Sequence, residues 1–290
     1  MARITLLDGG MGQELVHRAG DQPTPLWSTQ VMLDHPGMVR AVHRDFAEAG
    51  ATVATTNTYA IHRDRLEGTG LEERFEDLHR LALDEVRGTP GRIAGSIGPL
   101  IASYRPDIHP AHEVAVPLYA EVARLLAEDC DLILCETVAS VAHARAVLEG
   151  AAVAGLPVWL ALTVDDEDGS VMRSGEPVAE VLGLEGYAAL LANCSAPEAI
   201  PAALEIFARG DRPFGAYANG FTQITKEFLK DKPTVDALAA RRDFTPEVYA
   251  GHVVCWVGMG ATIVGGCCEV GPAHIEAIRD RLIADGHEIV

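Results

Sequence analysis

The chain has 290 residues, 48% hydrophobic and 22% charged, the balance of an ordinary globular protein of one large domain or two small ones. Its 42 acidic against 23 basic residues give a net charge of −19, which argues against a nucleic-acid-binding face and reads as a solubilising acidic surface. No run of about 18 apolar residues occurs, so no membrane span is expected, and the start MARITLLDGGMG lacks the build of a signal peptide; the expected location is cytoplasmic.

In chain order, the β-rich runs are ITLLD (4–8), TVATTN (52–57), RIAGSI (92–97), DLILCE (131–136), VWLALTV (158–164), AALLANC (188–194), FGAYAN (214–219) and ATIVGG (261–266). Helical patterns lie between them. HPGMVRAVHRDFAEAG sets Val39, Val42 and Phe46 on one side and closes on Gly50. TPEVYAGHVVCWVGMG starts with Thr245 as a cap and Pro246 just inside it. PAHIEAIRDRLIADG opens on Pro272, aligns Ile275, Ile278 and Leu282, and stops at Gly286.

Eight strand–helix units in a chain of this length predict a (β/α)8 TIM barrel, one domain over residues 1–290. Uninterrupted apolar strands such as DLILC fit a parallel sheet covered on both faces. The rival, a doubly wound open sheet, has little support. GGMG at 9–12 is neither a dinucleotide fingerprint nor a phosphate-binding loop.

Polar residues gather where the strands end: Asp8, Asn57, Ser96, Glu136, Thr163, Asn193 with Cys194, Asn219, and Cys267 with Cys268. In a barrel these positions share the C-terminal rim, where active sites are built. Adjacent cysteines point to opposite faces of an extended strand, so Cys267 and Cys268 reach one point only if the backbone bends, as Gly265-Gly266 would allow. Three thiolates converging on a cavity suit Zn²⁺ with its fourth position open, the pattern of a catalytic site. Buried, inert cysteines remain the competing reading on spacing alone. No disulfide framework is expected among six dispersed cysteines, and Cys130, Cys135 and Cys255 read as packing residues. His62 and His109 read as surface histidines, and DDEDG (165–169) as a solvated loop. The stretch TKEFLKDKPTVDALAARRDF (225–244) is long for a βα connection; it would cover the mouth or mediate self-association into a homo-oligomer.

GGCC at 265–268, followed by Gly271-Pro272 and His274-Ile275, resembles the signature of the zinc-dependent homocysteine S-methyltransferase family, which has betaine-using and S-methylmethionine-using branches. LLDGGMGQEL (6–15), TNTY (56–59), GSIGP (95–99), Glu136-Thr137 and ANCS (192–195) match the remaining blocks in order, over nearly the whole chain. The resemblance implies Zn²⁺ on Cys194, Cys267 and Cys268, and a substrate amino group held by Asp8 and Glu136. The activity it implies is methyl transfer from S-methylmethionine, S-adenosylmethionine or betaine to the zinc-bound thiolate of homocysteine, giving methionine. Trp27 and Tyr59, aromatics in loops near the mouth, would hold the cationic donor by cation–π attraction, as similar positions do in the betaine-using branch. Thr137 stands where betaine enzymes carry tyrosine, and LWS also occurs in relatives using S-methylmethionine, so the donor stays open. The rival functions are a methyl-accepting subunit of a corrinoid-dependent system and a non-catalytic zinc- or thiol-binding protein.

Overall fold

The structure, a computed structural model, describes all residues except 21–25, 223 and 225–239. Nine strands form one sheet: β1 (Arg3–Leu6), β2 (Val53–Thr55), β3 (Arg92–Ile97), β4 (Leu132–Val138), β5 (Val158–Leu162), β6 (Ala189–Asn193), β7 (Phe214–Tyr217), β8 (Ile263–Val264) and β9 (Glu288–Ile289). From β2 to β8 each strand pairs in parallel with its successor, and β8 returns to β1 through Thr5↔Ile263 and Leu6↔Val264. A bridge between Leu7 and Val53 closes the barrel; there Thr52 N–H donates to the Leu6 carbonyl at 2.7 Å and Asp8 N–H to the Val53 carbonyl at 3.1 Å.

All eight anticipated strands are present. The ninth is additional: β9 pairs with the first half of β1 through Arg3↔Glu288 and Ile4↔Ile289. Two residues after the last helix carry too little periodicity to announce a strand. Thr52 Oγ1 donates to the Val290 carbonyl at 2.7 Å, so β9 fills the position beside β1 that β2 begins too late to occupy.

Side chains alternate along the strands as a barrel requires. In β4, Leu132 and Leu134 join Val53, Trp159 and Leu191 in the barrel interior, whereas Ile133 and Cys135 belong to the larger layer beneath the helices. The helix Met38–Ala49 buries Val39, Val42 and Phe46 in that layer and stops at Gly50, whose φ of 113° is open to glycine. The helix Pro246–Gly258 is capped by Thr245, whose side chain accepts from the Val248 N–H, and Pro272–Ala284 opens on its proline and buries Ile275, Ile278 and Leu282. Cys255 departs from its expected packing role: it is exposed, because the helix turns Tyr249, Val253 and Trp256 inward instead. Cys130 and Cys135 are buried as expected.

Candidate active site

The loops after β6 and β8 bring three sulfurs together. The Sγ atoms of Cys194, Cys267 and Cys268 all lie within 4.8 Å of one another. A tetrahedral zinc with bonds of about 2.3 Å sets neighbouring sulfurs about 3.8 Å apart, so the trio fits such an ion once all three are thiolates. Cys194 and Cys267 are joined as a disulfide, with Cα atoms 5.7 Å apart. No disulfide framework is expected from the sequence, and this single bridge is not anticipated by it. A fold that delivers two sulfurs to one point also delivers them within bonding reach of each other; a metal would take the reduced pair. Burial, then the charges of Glu269 and Glu136, push the Cys268 thiol up to about 12, so a thiolate there calls for a cation beside it.

The glycines serve close approach rather than a left-handed bend. A Cβ at Gly10 would collide with the Cys267 carbonyl, and one at Gly266 with Val270. The left-handed turn falls one residue beyond the cysteines, at Glu269 (φ 66°).

Next to the sulfurs stand two buried carboxylates. Asp8, 2% exposed, ends the run of β1; its Oδ2 accepts from Thr55 N–H and its Oδ1 from Thr55 Oγ1, both at 2.7 Å. Glu136, on β4, accepts from Ser96 Oγ at 2.5 Å and from the Tyr217 hydroxyl at 3.1 Å. Burial pushes each up to about 7, and the charge of Glu136 adds to the rise at Asp8. Two buried carboxylates, the charge of Glu136 raising Asp8, favour a bound cation such as an ammonium.

Trp27, at the start of the helix Trp27–Asp34 in the connection after β1, and Tyr59, from the loop after β2, meet edge to face with ring centroids 6.2 Å apart. A Cβ at Gly12 would strike the Trp27 ring and one at Gly98 the Tyr59 ring. The Trp27 indole N–H is buried without a partner among the described residues, and the Tyr59 hydroxyl meets Ser103 Oγ at 2.7 Å. All seven residues singled out from the sequence thus lie on the one rim.

Tyr104 and Tyr217 escaped sequence reading, whereas Ser96 and Asn193 are among the polar strand ends read from it. Tyr104, in the loop after β3, packs with Cys194 and Phe221 against Cys267 and Cys268. Tyr217 and Ser96 hold Glu136, and Asn193 exchanges hydrogen bonds with Thr137 at 3.0 and 3.2 Å. His62 is no surface histidine: it is 1% exposed, edge-on to Tyr119, whose hydroxyl joins half-buried His109 to His143 at 3.0 and 2.9 Å. Most of the 225–244 stretch lies outside the described residues. A further signal is conformational. Among the described residues, the non-glycine residues with φ between 47° and 66° are Trp27, Ile101, Tyr104, Thr137, Cys194 and Glu269; Trp27 opens the helix Trp27–Asp34 after β1, Thr137 lies near the end of β4, and the other four sit in loops after β3, β6 and β8. Left-handed backbone at such residues costs roughly 1–3 kcal/mol each and collects where function holds it.

Comparison with known proteins agrees with this arrangement. A family model described as homocysteine S-methyltransferase matches residues 5–282. The homocysteine S-methyltransferase of Escherichia coli (strain K12) is 30% identical, covering 96% of this chain and 95% of its own. The selenocysteine Se-methyltransferase of Brassica oleracea var. italica is 27% identical, over 96% of this chain and 89% of its own. The metallated form of the homocysteine methyltransferase MmuM from Escherichia coli superposes with a TM-score of 0.80 at 26% identity, covering 96% of each chain. Since the family model spans nearly the whole barrel and a relative at 30% identity aligns end to end, the chain belongs to the homocysteine S-methyltransferase family.

Proposed function

We propose that the protein transfers a methyl group from a small onium donor to the sulfur of homocysteine, giving methionine, with Cys194, Cys267 and Cys268 as the ligands of a Zn²⁺ ion. The observation that carries this reading is the juxtaposition of three sulfurs within 4.8 Å of one another with a pair of buried carboxylates. Bound there, Zn²⁺ would supply the positive charge that keeps an acceptor thiol deprotonated at neutral pH.

The chain's own residues do the rest. Asp8 and Glu136 receive the homocysteine ammonium, whose charge offsets the carboxylates' loss of hydration; Ser96, Tyr217 and Thr55 fix where those carboxylates point. Anchored by its amino group, the substrate presents its sulfur toward the cysteine cluster. Trp27 and Tyr59 offer aromatic faces to a sulfonium or quaternary ammonium donor. In-line attack forms the new S–C bond as the donor's S–C or N–C bond breaks, and the leaving group departs neutral with the electron pair. Positioning of the two reactants supplies much of the acceleration. Among the described residues no helix is long and apolar enough to cross a membrane, and a cytoplasmic reaction between small molecules fits that.

The test is methionine formation by reduced, zinc-loaded protein given homocysteine and, separately, S-methylmethionine, S-adenosylmethionine and betaine. Turnover with at least one donor, abolished by a chelator, is expected. Turnover that persists after metal removal would refute the role of zinc. No turnover with any of the three would refute the free onium donor and favour a corrinoid-bearing partner protein.

A further inference from the structure

The loop between β5 and β6 carries DDEDG and reads as solvated, yet it turns two charges inward. Asp166 and Arg173 pair at 2.7 Å with side chains only 8% and 10% exposed. Among the described residues, the pair's other polar contacts run to the chain just after Cys194, to the connection after β7 and, through Thr163, to the Cys194 carbonyl. Asp166 Oδ1 accepts the N–H of Ala196 at 2.8 Å, two residues beyond Cys194, and Oδ2 accepts the N–H of Ile224 at 3.2 Å, in the connection after β7. Arg173 Nε donates to Thr163 Oγ1 at 3.3 Å, and that hydroxyl donates to the Cys194 carbonyl at 3.3 Å. The guanidinium carbon lies 5.5 Å over the ring of Tyr104, which packs on Cys194.

Cys194 itself has a φ of 47°, a conformation unfavourable for a residue with a side chain, so its backbone must be held by what surrounds it. Replacing a buried ion pair by apolar groups is often neutral for stability, so net stability does not account for a charged pair in this place. Its contacts account for it better. The carboxylate grips the chain after Cys194, the guanidinium reaches the carbonyl of Cys194 through Thr163, and its planar face seats the tyrosine against the residue.

We infer that Asp166 and Arg173 are positioning residues for the metal centre, a clamp that holds Cys194 in its left-handed conformation so that its sulfur converges with those of Cys267 and Cys268. This rests on the reading of the three cysteines as zinc ligands. It makes the pair part of the shell that orients a ligand without touching the ion, where substitutions characteristically lower metal affinity by about 10- to 100-fold.

The experiment compares reduced full-length wild type with D166N, R173Q and R173K. Zinc affinity is measured by competition with a chromophoric chelator, the thiolate-to-metal absorption of the cobalt-substituted protein is recorded, and the thermal midpoint is followed in parallel. The expected result is zinc affinity lowered about 10- to 100-fold in D166N and R173Q, with a weakened or shifted cobalt band, and a smaller loss in R173K. Lysine keeps a charge opposite Asp166 but loses the second donation and the planar face. A lowered midpoint with wild-type zinc affinity and an unaltered cobalt band in both D166N and R173Q would overturn the inference, since a loop-stabilising pair predicts that outcome. Should those two variants fail to fold, R173K decides, and an unchanged affinity and cobalt band in it overturn the clamp. If wild type binds no zinc through its thiols, the metal reading falls first and the clamp falls with it; wild-type binding shared by every variant removes the clamp alone.

Discussion

Replacing Glu136 with glutamine should make the protein more stable and a worse enzyme at the same time. The side chains are nearly the same size. Ser96 can still donate to the amide oxygen, and the Tyr217 hydroxyl can turn to accept from the amide nitrogen, so no buried polar atom is orphaned. What disappears is a charge that burial holds at about 7 rather than 4.5. That displacement corresponds to about 3 kcal/mol of cost carried by the folded protein when the carboxylate is ionised. The hydrogen bonds from Ser96 and Tyr217 already oppose burial within that displacement, so the expected gain is about 3 kcal/mol. Because the folded value is raised, the cost is fully present above pH 7 and is relieved as the folded wild type takes up its proton between 7 and 4.5. The gain of E136Q in urea unfolding should therefore be largest at pH 8 and vanish toward pH 4.5. Meanwhile loss of an ionic partner for the substrate ammonium, about 1.5–3 kcal/mol, should raise the homocysteine KM by about 10- to 150-fold with zinc still bound. A variant less stable than wild type at pH 8, with an unchanged KM, would refute both the buried-charge argument and the placement of Glu136 in the substrate site.

Cys267→Ser should lower zinc stoichiometry and methyl transfer together, measured by metal analysis and methionine formation on the same sample; full activity without zinc would sink the mechanism. Trp27→Ala removes one wall of the aromatic pair, worth about 0.5–2 kcal/mol to a cation, and should raise the donor KM by about 2- to 30-fold while leaving that for homocysteine near wild type. Equal changes in both constants would assign Trp27 a packing role. Burial lowers His43 to about 3 and His79 to about 4, so the unfolded chain takes protons first and these groups withdraw stability as pH falls from 6.5 toward 4. Replacing His43, whose two ring nitrogens have no partner among the described residues, with an apolar residue of similar size should flatten that decline in urea titrations; an unaltered slope would show that His43 carries none of it.

The barrel was legible because buried parallel strands appear in sequence as uninterrupted apolar runs ending in polar residues, and DLILCE shows both parts at once. Only the short β9 lacked any such pattern. The cysteines were legible for a different reason: few other residue types, with three residues at two strand ends, suggest so definite a chemistry. Their pairing as a disulfide was not, since it depends on distance in space and not on spacing along the chain. Charge misled at DDEDG, where Asp165 and Asp168 cap turns in the loop while Asp166 points inward to Arg173; nothing in five consecutive letters tells one acid from its neighbour. His62 misled in the same way, because a loop position says nothing about what packs over it. Tyr104 gave no signal, being one tyrosine in a loop whose left-handed backbone is visible only in three dimensions.

The features hidden from the sequence are those that make the mouth costly to build. Six side-chain-bearing residues in left-handed backbone ring it, and Asp8, Glu136 and Cys268 all have their charged forms disfavoured by burial. A fold under selection for stability alone would relax each of these. Together they describe the complement of the mouth. Under the proposed function, that complement is positive charge in three forms: a metal among the sulfurs, an ammonium between the carboxylates and an onium carbon against the aromatic rings. The first two would be held at fixed points and would neutralise groups that burial would otherwise protonate. The third would be consumed, since methyl transfer from an onium donor would leave a neutral group that the rings would hold less well. The polarity of the site would therefore favour arrival of the donor and departure of what remains of it.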